Sequence, residues 1–286
     1  MICKERIFQL AGLRLAALEW GEPGQFPVLA LHGWLDNAGS FERLAEHLQG
    51  CHIVALDLAG HGLSDSRAAD ASYNIWQEVG PVCEVAEQMG WSRFSLLGHS
   101  RGGAIASLVA GTYPALIDKL VLIEGGVPLL GEAADAPDNL ARALAENRRL
   151  RDKSGRVFPD RETALEQRAQ GFSPVAYSTA EILARRSLRQ VGGGYQWHAD
   201  QRLKANSELR LTSDHARAFL SRIEAPVLLF LAERSPFCGS PAFQSVLPYF
   251  GSLEVLTLPG GHHLHLEGAE GTIAQRTLEF LKVAPS

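Results

Sequence analysis

A serine between two glycines is the feature of the sequence that most directly indicates chemistry. The run GHSRG, residues 98–102, follows a short apolar run at residues 94–97 and precedes an apolar helical pattern over residues 102–113. A Gly-x-Ser-x-Gly motif between a strand and a helix places the serine on a crowded turn that projects its hydroxyl out of the sheet. The next backbone N–H, that of Arg101, would begin the helix and could stabilise an oxyanion. The motif therefore predicts that Ser100 is a nucleophile.

The elements that would position this serine alternate between short strands and longer helices. Apolar runs predict strands at residues 27–31, 52–56, 94–97, 119–123, 226–231 and 253–258, after an opening hairpin of residues 6–10 and 13–20. Helical patterns cover residues 40–48, 73–89, 102–113 and 268–281. Most of the strands are continuously apolar, as is typical of parallel strands covered on both faces. The sequence therefore predicts an α/β fold with a mostly parallel sheet of eight strands.

Residues 127–222 interrupt this alternation. They are rich in Ala, Arg, Glu and Leu, contain no predicted strand, and include amphipathic helical patterns at residues 140–150 and 180–191. A segment of this length is not expected to be a structureless loop. We predict a mainly helical lid, residues 127–222, inserted after the sixth strand of a core formed by residues 1–126 and 223–286. The alternative is a run of ordinary crossover helices.

Composition and charge exclude several classes of function. The chain has 286 residues, 46% of them hydrophobic and 21% charged, as expected of a folded globular protein. Its formal net charge of −5 leaves no basic excess for nucleic acid. The longest apolar run, residues 225–232, is too short to span a membrane, and the charged N-terminus lacks the apolar centre of an export signal. Four scattered cysteines predict reduced thiols in a cytoplasmic protein.

The chain resembles the α/β-hydrolase superfamily, and within it the serine-hydrolase-like branch. The motifs that carry the resemblance are GHSRG, HGWLDN at residues 32–37, DLAGHGLS at residues 57–64 and ADQRL at residues 199–203. The resemblance implies an oxyanion hole formed by two backbone N–H groups, those of Trp34 and Arg101. It also implies structural roles for Asp57 and His61 in their glycine-containing loop.

The same resemblance assigns the catalytic base. The superfamily carries its histidine after the last strand, five residues before a glutamate, and His262 precedes Glu267 by that spacing. His263 and His265 are the rivals. As a His-x-His pair they could also suggest a metal, but no cysteine or carboxylate cluster supports one. We therefore predict that His262 is the base, and we interpret His99 in the serine motif as a core histidine.

The acid departs from the commonest pattern of the superfamily. Most members carry an aspartate after the seventh strand, where this chain has Ser235, and a serine cannot stabilise an imidazolium as a carboxylate does. Glu124 ends the sixth predicted strand, a position that holds the acid in some branches. A carboxylate directly after an apolar strand is also an unusual structural choice. We predict that Glu124 is the acid, with Glu233 beside Arg234 as the rival, and helix capping as the structural alternative for Glu124.

Together these residues predict a serine hydrolase that cleaves small carboxylic esters or thioesters, with Ser100, His262 and Glu124 as its catalytic triad. A serine at the motif disfavours the alkyl-enzyme route of epoxide hydrolases and haloalkane dehalogenases, which use an aspartate there. A catalytically silent binding protein and an acyltransferase are the alternatives, and hydroxynitrile lyases and cofactor-free dioxygenases share such Ser/His sites.

The expected partner is a small-molecule ester or thioester, rather than nucleic acid or a membrane. No phosphate-binding glycine motif follows a strand, so neither a cofactor nor a metal is predicted. Aromatic residues of the lid are expected either to form apolar walls for the substrate or to pack the lid on the sheet: Phe158, Phe172, Tyr177, Tyr195 and Trp197.

Overall fold

A sheet of eight strands organises the protein in the computed structural model, which describes residues 1–235 and 237–283. The strands of the described chain are β1 (Cys3–Leu10), β2 (Leu13–Trp20), β3 (Phe26–Leu31), β4 (Cys51–Leu56), β5 (Phe94–His99), β6 (Ile117–Ile123), β7 (Val157–Phe158), β8 (Leu188–Val191), β9 (Gly194–Trp197), β10 (Val227–Ala232) and β11 (Leu253–Leu258). The order in the large sheet is β1-β2-β4-β3-β5-β6-β10-β11. Strand β2 runs antiparallel to both of its neighbours, β1 and β4. The six strands from β4 to β11 in this order are parallel to one another, so the predicted fold class is confirmed.

Helices cover both faces of this sheet. The α-helices of the described chain are α1 (Glu42–His47), α2 (Val79–Gln88), α3 (Arg101–Thr112), α4 (Ala136–Arg151), α5 (Arg161–Ala169), α6 (Tyr177–Ser187), α7 (Ser213–Leu220), α8 (Pro241–Gln244) and α9 (Glu270–Leu281). One core contains residues of α2, α3 and α7, and the other contains residues of α1 and α9. None of the helices in the described ranges has both the length and the apolar composition needed to cross a bilayer.

The parallel strands explain why the candidate site residues lie close together. Strands β5 and β10 are buried along their whole length, which accounts for their continuous apolar runs. Because parallel strands end at the same edge of a sheet, the loops after β3, β5, β6 and β11 all lie at that edge. These four loops carry Trp34, Ser100, Glu124 and His262.

The connection from β6 to β10, residues 127–222 and here called the inserted segment, differs from the prediction in one respect. It contains α4 to α7, but also a small antiparallel sheet in the order β7-β9-β8. The expectation of no strand in this segment was therefore wrong, and the predicted helix over residues 180–191 ends at Ser187. Gly192 and Gly193 form a two-residue hairpin between β8 and β9, and the φ of +90° at Gly193 favours glycine. A glycine pair between short strand-forming runs was the signal for this hairpin.

Buried polar contacts anchor the inserted segment to the core. Arg186 of α6 donates to the carboxylate of Asp57, with 2.7 Å between Nη2 and Oδ2, and both side chains are buried. Asp57 also accepts the N–H groups of Ala38 and Leu63, in keeping with its predicted structural role. In the same way, Arg202 of the ADQRL run donates to backbone carbonyls of residues 67, 68 and 71. The segment is thus held to the core by a buried ion pair and by hydrogen bonds.

We predict that Arg186→Gln lowers the free energy of unfolding by about 3 kcal/mol, because it leaves a buried carboxylate without its cation. Urea denaturation followed by circular dichroism measures the change. The matched control is Arg185→Gln, which removes the neighbouring exposed arginine and its surface ion pair with Glu42. That variant should lose less than about 1 kcal/mol. Equal losses in the two variants would contradict an anchoring role for the buried pair.

Candidate active site

Ser100 lies on a strained turn between β5 and α3. Its backbone has φ 51° and ψ −116°, a conformation that side-chain-bearing residues rarely adopt. The flanking glycines are required by close approaches: a Cβ on Gly98 would lie 2.5 Å from the Cα of Gly103, and one on Gly102 would lie 2.0 Å from the carbonyl oxygen of Leu31. The turn therefore presents the hydroxyl at the edge of the sheet and presses the start of α3 against the end of β3.

His262 connects Ser100 to a carboxylate. Its Nε2 lies 3.0 Å from the Oγ of Ser100, and its Nδ1 lies 3.1 Å from Oε2 of Glu124. An ionised carboxylate only accepts hydrogen bonds, so Nδ1 carries the proton and Nε2 is the acceptor for the serine hydroxyl. The His262 side chain is 22% exposed, which leaves it accessible to a substrate.

Glu124 is held rigidly at the end of β6. Its side chain has no exposed surface, and Oε1 accepts the N–H of Ala232 at 2.6 Å. Its φ of 52° is unusual for a residue other than glycine, and a Cβ on the next residue, Gly125, would lie 2.3 Å from the carbonyl oxygen of Ser100. The backbone at Glu124 and the serine turn are therefore packed directly against each other.

The residues considered as alternatives for the acid and the base do not take part in this arrangement. Glu233 is exposed, and within residues 1–235 and 237–283 its carboxylate has no hydrogen-bond or ion-pair partner. The Ser235 hydroxyl accepts the N–H of Phe237 instead of contacting a histidine. His263 bonds to Asp36, and His265 is fully buried beside His99. The structure thus places Glu124, and not Glu233, against His262.

Two backbone N–H groups in the loops after β3 and β5 have no acceptor among the described residues. Neither Trp34 nor Arg101 donates its N–H to another described residue. The loop that carries Trp34 is supported by His61, whose Nε2 accepts the N–H of Leu35 at 3.3 Å. Burial lowers the pKa of His61 well below its ordinary value, so this ring is a neutral acceptor. The arrangement can supply two donors to an anionic oxygen near Ser100.

A buried network that the sequence analysis did not assign lies behind His262. The Oδ2 of Asp36 is 3.0 Å from Nε2 of His263, and its Oδ1 accepts from Arg168 of α5 at 2.8 Å. Burial alone would raise the pKa of Asp36, but His263 and Arg168 hold it well below the ordinary value. His99 donates from Nε2 to the carbonyl oxygen of His262 at 2.9 Å and so holds the loop of His262 in place. Asp36 lies within the HGWLDN motif, which was the only signal in the sequence.

Asp36, His99 and His263 also form the one group of potential metal ligands found among the described residues. The carboxylate of Asp36 is already paired with the guanidinium of Arg168, so a metal ion would have to displace a cation from it. The arrangement therefore favours an ion-pair network over a metal centre.

A cavity of about 450 Å³ lies beside the site, between the inserted segment and the loop after β3. Trp34 lines it from the core, and three of the five aromatic residues singled out in the segment line it as well: Phe158, Phe172 and Trp197. The indole of Trp34 donates to the carbonyl oxygen of Leu203 at 2.8 Å, which ties this loop to the segment. Neither Ser100 nor His262 lines the cavity, whereas the loop after β3, with Trp34, does.

Comparisons with known proteins bear on the family and the fold of the chain. The sequence matches the alpha/beta hydrolase fold family over residues 27–269. It is 33% identical to the human serine hydrolase-like protein 2 over 274 residues, covering 88% of this chain and 86% of that protein. A crystal structure of a hypothetical protein from Pseudomonas aeruginosa has a TM-score of 0.93 and 46% identity, with 97% of this chain and 99% of that chain covered. The thioesterase domain of the curacin biosynthetic pathway has a TM-score of 0.84 and 26% identity, with 97% and 100% covered.

We predict that His265 makes the folded state sensitive to acid. Burial, with a smaller contribution from His263, lowers the pKa of His265 from 6.5 to about 3, and neither ring nitrogen has a partner among the described groups. Between these two values the unfolded chain binds a proton that the folded chain does not. The contribution of the neutral His265 to stability is therefore fully present above pH 6.5 and is lost as the pH falls towards 3.

In the variant His265→Gln, the free energy of unfolding should fall less steeply between these pH values, by up to about 1.4 kcal/mol per pH unit. Urea denaturation at a series of pH values measures both slopes. A slope identical to that of the wild type would contradict the assignment.

Proposed function

We propose, since this chain belongs to the alpha/beta hydrolase fold family, that it is a serine hydrolase that cleaves small carboxylic esters or thioesters through an acyl-enzyme on Ser100. The observation that carries the proposal is the continuous contact from Ser100 through His262 to Glu124, at 3.0 Å and 3.1 Å. A nucleophile, a base and a group that orients the base are the parts that acyl transfer requires.

In the proposed reaction the Oγ of Ser100 attacks the carbonyl carbon of the substrate while Nε2 of His262 accepts the hydroxyl proton. The carbonyl oxygen becomes an oxyanion, which the N–H groups of Trp34 and Arg101 stabilise. The carbon–oxygen or carbon–sulfur bond then breaks, and the leaving alcohol or thiol takes the proton from His262. Water, deprotonated by His262, attacks the acyl-enzyme and releases the acid and Ser100.

Glu124 would act by charge and by orientation. Its carboxylate accepts the Nδ1 proton and so keeps Nε2 free to act as a base. When His262 becomes an imidazolium, the buried negative charge of Glu124 stabilises it, and the low dielectric of the site makes this interaction stronger than in water.

The inserted segment would act as a lid, residues 127–222, on a hydrolase core of residues 1–126 and 223–286. Its buried ion pairs with the core support a lid that remains in place as a wall of the cavity. The likeness to a thioesterase domain supports thioesters among the substrates. All four cysteines are free thiols, which supports a reducing, cytoplasmic location.

The first test of the function is Ser100→Ala. Without the nucleophile, hydrolysis of p-nitrophenyl esters should fall on the order of 10⁶-fold in kcat, while the circular dichroism spectrum stays that of the wild type. A fluorophosphonate probe should label Ser100 in the wild type and leave the variant unlabelled. A folded wild type that neither hydrolyses these esters nor reacts with the probe would instead favour a silent binding protein.

The second test separates the two glutamates. Glu124→Gln should lower kcat on the order of 10³- to 10⁴-fold, because the amide carries no charge and does not impose the required tautomer on His262. Glu233→Gln, the matched control, should change kcat by less than about twofold, since an exposed glutamate away from the histidine contributes little. Comparable losses in the two variants would contradict the role proposed for Glu124.

A further inference from the structure

The charges around the cavity beside Trp34 are unbalanced. Three cationic side chains line the cavity, those of Arg156, Arg168 and Lys204, and the carboxylate of Asp36 is the acidic group on its wall. Asp36 is already bound by Arg168 and by a buried histidine. In the part of the chain that the structure describes, neither Arg156 nor Lys204 has a carboxylate partner. Two unpaired cations therefore face one cavity in a chain whose formal net charge is −5.

Both unpaired cations are held at the cavity wall by neutral groups. The guanidinium carbon of Arg156 lies 4.9 Å from the centroid of the Phe158 ring, an arrangement that leaves its N–H donors available. The Nζ of Lys204 donates to Oε1 of Gln201 at 2.7 Å and keeps two further donors. Gln201 also lies beside Gly155, where a Cβ would be 3.3 Å from its Nε2, so the two cations belong to one wall.

Arg156 and Lys204 are exposed side chains of this wall, so an anion can reach both of them from solvent. Partial burial lowers the pKa of Lys204, which means that its charged form lacks part of the solvation that it would have in water. The cavity also has the size of a site for a small organic ligand, and it includes the aromatic rings of Trp34, Phe158 and Trp197. An aromatic cavity with unpaired cations matches a ligand that has an apolar body and an anionic end.

We infer that this cavity binds an anionic group of the substrate, a carboxylate or a phosphate, through Arg156 and Lys204. The inference rests on the proposed function, because it assigns a substrate class to the same site: esters or thioesters with a second, negatively charged group. Trp34 gives the connection, since it lines the cavity and its N–H is the proposed oxyanion donor. The anion would sit under the inserted segment while the scissile carbonyl reaches Ser100 past Trp34.

Matched substrates test the inference and distinguish a carboxylate from a phosphate as the anionic group. The carboxylate arm compares mono-p-nitrophenyl glutarate with p-nitrophenyl valerate, which has the same acyl chain length and no charge. The phosphate arm compares butyryl-coenzyme A with the neutral thioester of butyrate and N-acetylcysteamine. In at least one arm, kcat/KM of the anionic member should exceed that of the neutral member by about tenfold, the effect of two partly exposed ion pairs.

The variant Arg156→Gln/Lys204→Gln should lower that ratio about tenfold, and added salt should lower it in the wild type. The control Arg222→Gln/Lys282→Gln removes the same charge from outside the cavity and should leave the ratio as in the wild type. Ratios near one in both arms, or a ratio that the cavity variant does not change, would overturn the inference.

A binding measurement keeps this result separate from the proposed function. In Ser100→Ala, glutarate and coenzyme A are titrated while the tryptophan fluorescence is followed, since Trp34 and Trp197 line the cavity. Saturable binding of one of them, weakened by adding Arg156→Gln/Lys204→Gln, would support the anion site even when no ester is hydrolysed. The absence of binding by both would overturn the site, and ester hydrolysis by the wild type would still support the proposed function.

Discussion

The buried charge of Glu124 is the constraint on which the site depends. A carboxylate without exposed surface is costly unless hydrogen bonds and an opposite charge compensate it. Here the N–H of Ala232 occupies one oxygen and Nδ1 of His262 the other, so two neighbouring parallel strands and the last loop must meet at one point. The positive φ angles of Glu124 and Ser100 show that the backbone is strained where these elements come together.

The same physical rule explains how the inserted segment is held. Asp36 and Asp57 are buried in loops of the core, and each is paired with an arginine from the segment, Arg168 and Arg186. Removing one partner of such a pair leaves an uncompensated charge in the interior, which is more costly than losing a surface ion pair. The segment is therefore coupled to the loop of Trp34, which links the wall of the cavity to the proposed oxyanion site.

Most of the fold could be predicted because its signals are local. The apolar runs before Ser100 and Glu124 mark strands that are covered on both faces, and the glycines around Ser100 mark a turn that has no space for side chains. The exception is the hairpin of β8 and β9. Four-residue strands outside the main core lack a long apolar run, and β9 also pairs with β7, which is distant in sequence.

By itself the sequence determined the α/β class, the serine turn and the residues from which a triad could be chosen, because hydrophobic periodicity and glycine requirements act within a few residues. Only the tertiary structure placed Glu124, and not Glu233, beside His262, since this depends on which strand end lies next to the last loop. It alone also brought together Asp36, Arg168 and His263, and placed Arg156 and Lys204 on one wall. Charge compensation in a protein interior depends on distance in space, and residues so far apart in the chain become neighbours only when the sheet and its inserted segment have folded.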